Sequence, residues 1–374
     1  MKYDFTQARK CIETLDKRRF DRALLGSGDA FRHIVSLVPL LLHLNHPALP
    51  GYVEDAPAGI ADFILSNYQQ NFLSKEHPEL VEYVQSAVNS DAVFTPILGI
   101  YVMGSFGSIS QTSASDLDIW ICHQDDLSEQ DQQRLAEKTK KISLWASTFH
   151  VEMHFYLMTQ KRFRNERYSD PLTKENSGSA QYMLLLEEFY RSAVRLSGKP
   201  LLWLHLWVED EKQYEAEVAR LVMEGELNPN DWVDFGGLGQ FSASEYFGAS
   251  LWQLYKGIDS PYKSVMKILL LETYAQEYPN AHLIARQFKE DLLSGRSTAA
   301  HHFDPYIAIL ERISQYLAAH SEFKRLDFVR SCFYVKATED FALYHASNWR
   351  ISYMKMMAQE WGWSKERIEE LDQR

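Results

Sequence analysis

Ile97-Leu98-Gly99-Ile100-Tyr101-Val102-Met103-Gly104-Ser105, followed after a polar Gly/Ser-rich connection by Ser115-Asp116-Leu117-Asp118-Ile119-Trp120-Ile121-Cys122, decides the fold class. The first run is short, apolar and closed by a glycine, the pattern of a buried strand. The second places acids between apolar residues and reads as another strand over 117–122. Downstream, Leu135, Ile142 and Trp145 lie among the apolar residues of an amphipathic helix over 127–149, and 151–158 again reads as extended. Strand, polar turn, strand, helix, strand is a small mixed-sheet α/β core. With helices before and after it, the expected fold class is α+β.

Outward from this core, residues 1–90 form an N-terminal helical region, with Phe31, Ile34, Val35, Val38, Leu41 and Leu42 at helical spacing and Pro47, Pro50 and Gly51 as breakers. The catalytic core is placed at 91–207 and a C-terminal helical domain at 208–374. Within the core, 162–179 reads as a mobile polar loop, 180–196 as a helix and 201–207 as a strand. Asp259-Ser260-Pro261 is a helix start with proline in the first turn. The last helix, from Ser364, stops without a terminal feature, as expected of a chain cut from something longer. The sequence carries no internal repeat or low-complexity tract.

The 374 residues, 45% hydrophobic and 24% charged, suit a soluble globular protein. No run approaches the length a membrane helix needs, since 34–44 is short and holds His43. The charged start lacks the apolar core of an export signal, so a cytoplasmic protein is expected. Cys11, Cys122 and Cys332 are far apart and read as reduced thiols, not as a disulfide framework or a zinc site. A formal charge of −12 argues against a nucleic-acid duplex as partner. A small anion held by a local basic cluster or a metal remains compatible with it.

The chemistry concentrates between Gly104 and Trp120. A Gly-Ser turn at a strand end, expected before a short helix, offers amides and a hydroxyl to phosphate oxygens. Asp116 and Asp118 are two apart on a strand, so both carboxylates project from one face. Such a pair repels itself unless a cation intervenes, and hard oxygen ligands suit Mg²⁺. A DxD alone is common on solvated strands; the preceding Gly-Ser turn and a later acid add weight. Glu152, between Val151 and Met153, is the expected third carboxylate of a two-ion site.

Arg191, Arg195 and Lys199, near the helix after the loop, are candidates for a triphosphate, although a solvated basic helix end explains them equally well. Lys256, Lys263 and Lys267 could serve from the C-terminal helices. His123 and His154 flank the acids and read as packing or supporting groups, because Mg²⁺ prefers oxygen. Trp120 reads as core, with nucleotide contact the lesser alternative.

The pattern of Gly-Ser, a variable connection and DxD resembles the nucleotidyltransferase superfamily. Asp21-Arg22-Ala23-Leu24, His46-Pro47, Pro50-Gly51-Tyr52, Ser115 to Trp120 and Leu186-Glu187-Glu188-Phe189-Tyr190-Arg191 resemble class I adenylate cyclases of enteric-type bacteria more closely. So do Glu245 to Lys256 and Asp259-Ser260-Pro261-Tyr262-Lys263, which are more specific than the DxD. The resemblance implies a phosphorus–oxygen lyase of cyclic AMP biosynthesis, turning ATP into 3′,5′-cyclic AMP and pyrophosphate by in-line attack of the ribose 3′-hydroxyl on the α-phosphorus. Asp116, Asp118 and Glu152 would be catalytic and hold two Mg²⁺ ions, with Mn²⁺ as an alternative. Gly104, Ser105, Arg191, Lys199 and Lys263 would contact the nucleotide. It also implies a regulatory C-terminal region, absent here, through which the glucose phosphotransferase system is thought to act. Two rivals stay open: a nucleotidyltransferase passing AMP to a protein, RNA or small-molecule hydroxyl, and a catalytically silent nucleotide-binding module.

Overall fold

In the computed structural model, residues 3–25, 27–82, 84, 95–113, 115–165, 182–239, 241–298, 301–340 and 349–373 are described. Three helices lead in: α1 (Phe5–Leu25), α2 (Asp29–His43) and α3 (Asn67–Glu76). α2 buries Ile34, Val35 and every residue from Leu37 to Leu42, with Pro39 among them, so it is an interior helix. Ser66 and Gln69 start α3 with a reciprocal capping box.

The core is a four-stranded sheet of order β3-β2-β1-β4. β1 (Ile97–Met103) is buried along its whole length and pairs antiparallel with β2 (Leu117–His123) and β4 (Val194–Gly198). β2 pairs parallel with β3 (Met153–Met158) through the crossover helix α4 (Glu129–Ser147), capped by Ser128. Met103 is in register with Asp118, and Asp118 with His154. Those pairings put the end of β1 and the start of β2 and β3 at one edge of the sheet.

Strand alternation separates two cores. Ile100, Val102, Leu117, Ile119 and Ile121 pack against α2 and α4. Tyr101, Met103, Trp120 and Cys122 face the other way, into a cluster that continues through α6 (Tyr182–Ser192) to the C-terminal helices. Asp118 shares that second face, so its carboxylate is directed toward α6 and the helices beyond.

Three expected elements differ. The helix assigned to 180–196 is α6 over Tyr182–Ser192 followed by β4, because Val194 to Gly198 are taken up by β1 as a sheet partner. The strand assigned to 201–207 is the short helix α7 (Leu202–His205), and its extended pairing is limited to an isolated bridge between Leu201 and Val233, outside the sheet. Its four residues are all buried, which removes the polar face that periodicity reads. The expected loop 162–179 begins as the helix α5 (Gln160–Asn165), and its remainder lies outside the described residues.

Beyond α8 (Tyr214–Met223) come α9 (Ala243–Lys256), α10 (Pro261–Gln276), α11 (Ile284–Leu293), α12 (Pro305–Ala319), α13 (Phe323–Thr338), α14 (Trp349–Glu360) and α15 (Lys365–Asp372). Pro261 occupies the first turn of α10, as its sequence predicts. Among the described residues no helix is long and apolar enough to cross a membrane.

Candidate active site

Gly104 ends β1 with φ of +88°, a left-handed conformation that suits glycine, and a Cβ there would lie 3.9 Å from Asp118 Oδ2. The chain therefore turns directly beside the acid. Gly104 N–H donates to Ser192 Oγ at 3.0 Å, so that amide is engaged. Ser105 is buried, and its amide and hydroxyl bond no described residue. The short helix expected after the Gly-Ser pair is absent; residues 104–110 form consecutive turns, buried from Ser105 onward, with Ser108 N–H bonded to Ser105 O at 3.0 Å.

That turn is clamped from three sides. Gly107 approaches α1 so closely that a Cβ would meet Arg19 O at 2.2 Å. Gln111 Oε1 receives Gly107 N–H at 2.7 Å while its amide donates to Ala23 O at 3.2 Å. From the C-terminal side, Asp304 Oδ2 accepts Ile109 N–H at 2.8 Å and Arg350 Nε donates to Ile109 O at 3.0 Å.

Asp118 is half-buried at the start of β2, and Asp116 is exposed one residue before the strand. Tyr156 OH donates to Asp118 Oδ1 at 3.3 Å. Burial, then the negative charge of Asp116, raises the Asp118 pKa to about 6, against the pull of His154 and Lys267. Both aspartates line a cavity of about 200 Å³ together with Gly104, Ser105, His154, Tyr156 and Trp120. Its opposite wall is C-terminal: Trp252, Gln253, Lys256, Lys263, Lys267 and Tyr306.

The lysines differ in their surroundings. Lys267 Nζ donates to Glu188 Oε1 at 2.6 Å, and Glu188 raises its pKa against the penalty of burial. Lys263 is pushed down to about 8 by burial and by the charge of Lys336, with Asp116 and Asp118 opposing.

The structure brings Gly104, Ser105, Asp116, Asp118 and Lys263 together and leaves three other candidates apart. Glu152 precedes β3 at the exposed sheet edge, with its side chain 72% accessible and turned to His154 Nε2 at 3.1 Å. His154 occupies the position beside Asp118 instead, fixed by the parallel register. Among the described residues no group of three or more His, Cys, Asp or Glu side chains is placed to hold a metal. Arg191 is buried behind the site in an ion pair with Glu187, and Glu187 also accepts Tyr274 OH at 3.2 Å and Ala285 N–H at 3.1 Å. That network explains the arginine as an internal tie between α6 and the C-terminal helices. Lys199 bonds through its backbone to Leu98 and Tyr101, at the end of β1 remote from Gly104. Arg195 pairs with Glu13 at 3.1 Å, and His123 is buried opposite Ile97, at that same remote end.

Glu188, Gln253, Asp304, Tyr306 and Arg350 were not expected at the site. Asp304-Pro305 is a legible helix start, but nothing in its local pattern says that the cap would also reach Ile109.

Residues 4–204 match the family described as adenylate cyclase NT domain, and residues 241–374 match the class-I adenylate cyclase second domain. The chain is 67% identical over 381 residues to an adenylate cyclase of Haemophilus influenzae, covering 100% of this chain and 45% of that protein. It is 59% identical over 379 residues to the Pasteurella multocida adenylate cyclase, with the same coverage. With the enzyme of Escherichia coli K12 it shares 43% identity over 365 residues, 97% of this chain and 42% of that one. It thus spans less than half the length of these curated relatives. No solved structure matches the chain. Two matched domains that meet at one cavity, together with identity along nearly the entire chain, place this protein in the class-I adenylate cyclase family.

Proposed function

We propose that the chain converts ATP to 3′,5′-cyclic AMP and pyrophosphate at the cavity between the sheet edge and the C-terminal helices. The observation that carries this reading is the meeting of Asp116 and Asp118 with Gly104, Ser105 and a facing group of lysines at 256, 263 and 267. An adjacent acid pair with one member's pKa raised is a donor set that fits a hard divalent cation. Asp116 and Asp118 would hold magnesium, which when bound supplies Lewis-acid stabilisation of charge on the phosphates.

The protein's own groups account for the rest of the arrangement. The Ser105 amide and hydroxyl face the outer phosphates, and Lys263 and Lys267 neutralise charge that builds on the departing pyrophosphate. Glu188 keeps Lys267 charged and fixes its direction. The 3′-hydroxyl gives up its proton to solvent water, its oxygen forms the ring P–O bond at the α-phosphorus, and the bond to the β-phosphate oxygen breaks to release pyrophosphate. Tyr156 holds one oxygen of Asp118 and thereby fixes the carboxylate plane. Glu152 acts at one remove, by orienting His154.

The test is incubation of the purified chain with ATP and Mg²⁺, resolving cyclic AMP and pyrophosphate by chromatography, with Asp118→Asn as control. Cyclic AMP from the unsubstituted chain alone supports the proposal. Transfer of AMP to another hydroxyl without cyclic AMP would replace it with the intermolecular reaction.

A further inference from the structure

We propose that Gln253, beside the ring of Trp252, reads the N6/N7 edge of a bound purine and selects adenine over guanine. This deepens the cyclase reading and rests on nucleotide binding in the same cavity.

The placement follows from α9. This helix leaves Phe247, Leu251 and Leu254 exposed and turns Tyr246, Ala249, Trp252 and Gln253 inward. Gln253 is 5% exposed, lines the cavity, and its side-chain amide hydrogen-bonds to no described residue. Two polar groups lining the same cavity are engaged by other side chains and not by Gln253: Glu188 by Lys267 and Tyr306 by Ser110. An amide on an otherwise buried side chain that faces a cavity without a protein partner is a group positioned for a ligand.

The chemistry of that amide names the base. A primary amide presents one acceptor and, next to it, donors. Adenine presents the complementary pair, the N6 amino donor and the N7 acceptor, and glutamine meets both at once. Guanine carries two acceptors on the same edge, O6 and N7, so one amide satisfies only one of them. Trp252, 7% exposed and lining the same cavity, offers a π-face on which the base can stack. Lys256 Nζ lies over one face of that ring, 5.3 Å from its centre.

The experiment is displacement of fluorescent mant-ATP from the chain in Mg²⁺ by ATP, GTP, 7-deaza-ATP and tripolyphosphate. Each is measured for the unsubstituted chain, Gln253→Leu and Gln253→Glu, after matched thermal unfolding of the three. The unsubstituted chain is expected to prefer ATP to GTP and to 7-deaza-ATP by roughly tenfold or more, since 7-deaza-ATP lacks the N7 acceptor. Gln253→Leu is expected to bind ATP no better than GTP, with tripolyphosphate affinity unchanged; Gln253→Glu, whose carboxylate accepts from N6 but cannot donate to N7, is expected to lose the discrimination between ATP and 7-deaza-ATP. Retention of the original ATP-to-GTP ratio in Gln253→Leu would overturn the proposal. So would an unsubstituted chain that treats ATP and 7-deaza-ATP alike. The expected base preferences without any cyclic AMP formation would uphold Gln253 and count against the cyclase reading instead.

Discussion

Asp304 Oδ2 accepts the amide of Ile109 at 2.8 Å, and the same carboxylate's Oδ1 accepts the first-turn amides of Tyr306 and Ile307 at 3.0 and 3.1 Å. One side chain thus caps α12 and holds the turn that follows Gly104-Ser105. It joins residues 195 apart in the chain at a place 1% exposed.

Removing that carboxylate leaves a helix end uncapped and a buried amide unpaired. Asp304→Ala is expected to cost about 2–4 kcal/mol in unfolding free energy. Asp304→Asn retains one oxygen acceptor and should lose about half as much. Urea unfolding of both variants checks the order.

Gly107 is required for a different reason. Its φ is +69°, and a Cβ would lie 2.2 Å from the backbone oxygen of Arg19, a contact that only movement of α1 relieves. Gly107→Ala is expected to destabilise by about 2 kcal/mol or more. Gly28→Ala, where a Cβ meets nothing within 4 Å, should cost under about 1 kcal/mol. Thermal unfolding of the pair separates close packing from general glycine effects.

Lys263 gives the site a pH dependence. Its pKa in the free protein is lowered to about 8 by burial and Lys336, and a bound polyanion raises it. Affinity for tripolyphosphate should therefore be level below pH 8 and fall as the pH rises above it. In Lys263→Met affinity should be roughly tenfold lower at pH 7 and that fall should disappear. Titration calorimetry between pH 6.5 and 9.5 reads both effects.

Asp118 carries a cost in the folded chain. Its folded pKa, about 6, lies above the ordinary 3.8, so the folded state binds the proton more tightly and this contribution to stability is lost as pH rises through 6. Without magnesium at pH 7.5, Asp118→Asn should be more stable by on the order of 1 kcal/mol, and the difference should vanish near pH 4. Cyclic AMP formation should fall at least about a hundredfold. Unfolding with and without Mg²⁺, which should stabilise only the unsubstituted chain, checks the first part.

The legible elements were those whose local pattern also governs them in the folded chain. The apolar run at 97–103 is β1, buried on both faces, and the alternation through Asp118 gives one face to the core and one to the site. The helix start at Pro261 held because a proline in the first turn is a local restriction. Readings failed where a distant partner decided the outcome. Val194-Arg195-Leu196 continues the apolar texture of α6, yet β1 offers unpaired backbone groups there and claims the segment as β4. Lys199 and Lys263 look alike as exposed-type lysines near helices, but sheet register sends one to the remote end of β1 and helix packing brings the other to the cavity.

By itself the sequence determined the α+β class, the Gly-Ser turn and the acid pair, because each depends on residue types a few positions apart. Tertiary structure decided which charges converge. Parallel pairing put His154 rather than Glu152 beside Asp118, and the buried Glu187 absorbed Arg191. Packing of the C-terminal helices supplied Gln253, Lys263 and Asp304 from 135 or more residues beyond Asp118. Electrostatic and hydrogen-bonding partners are selected by proximity in space, and over such separations proximity is fixed by the packed core.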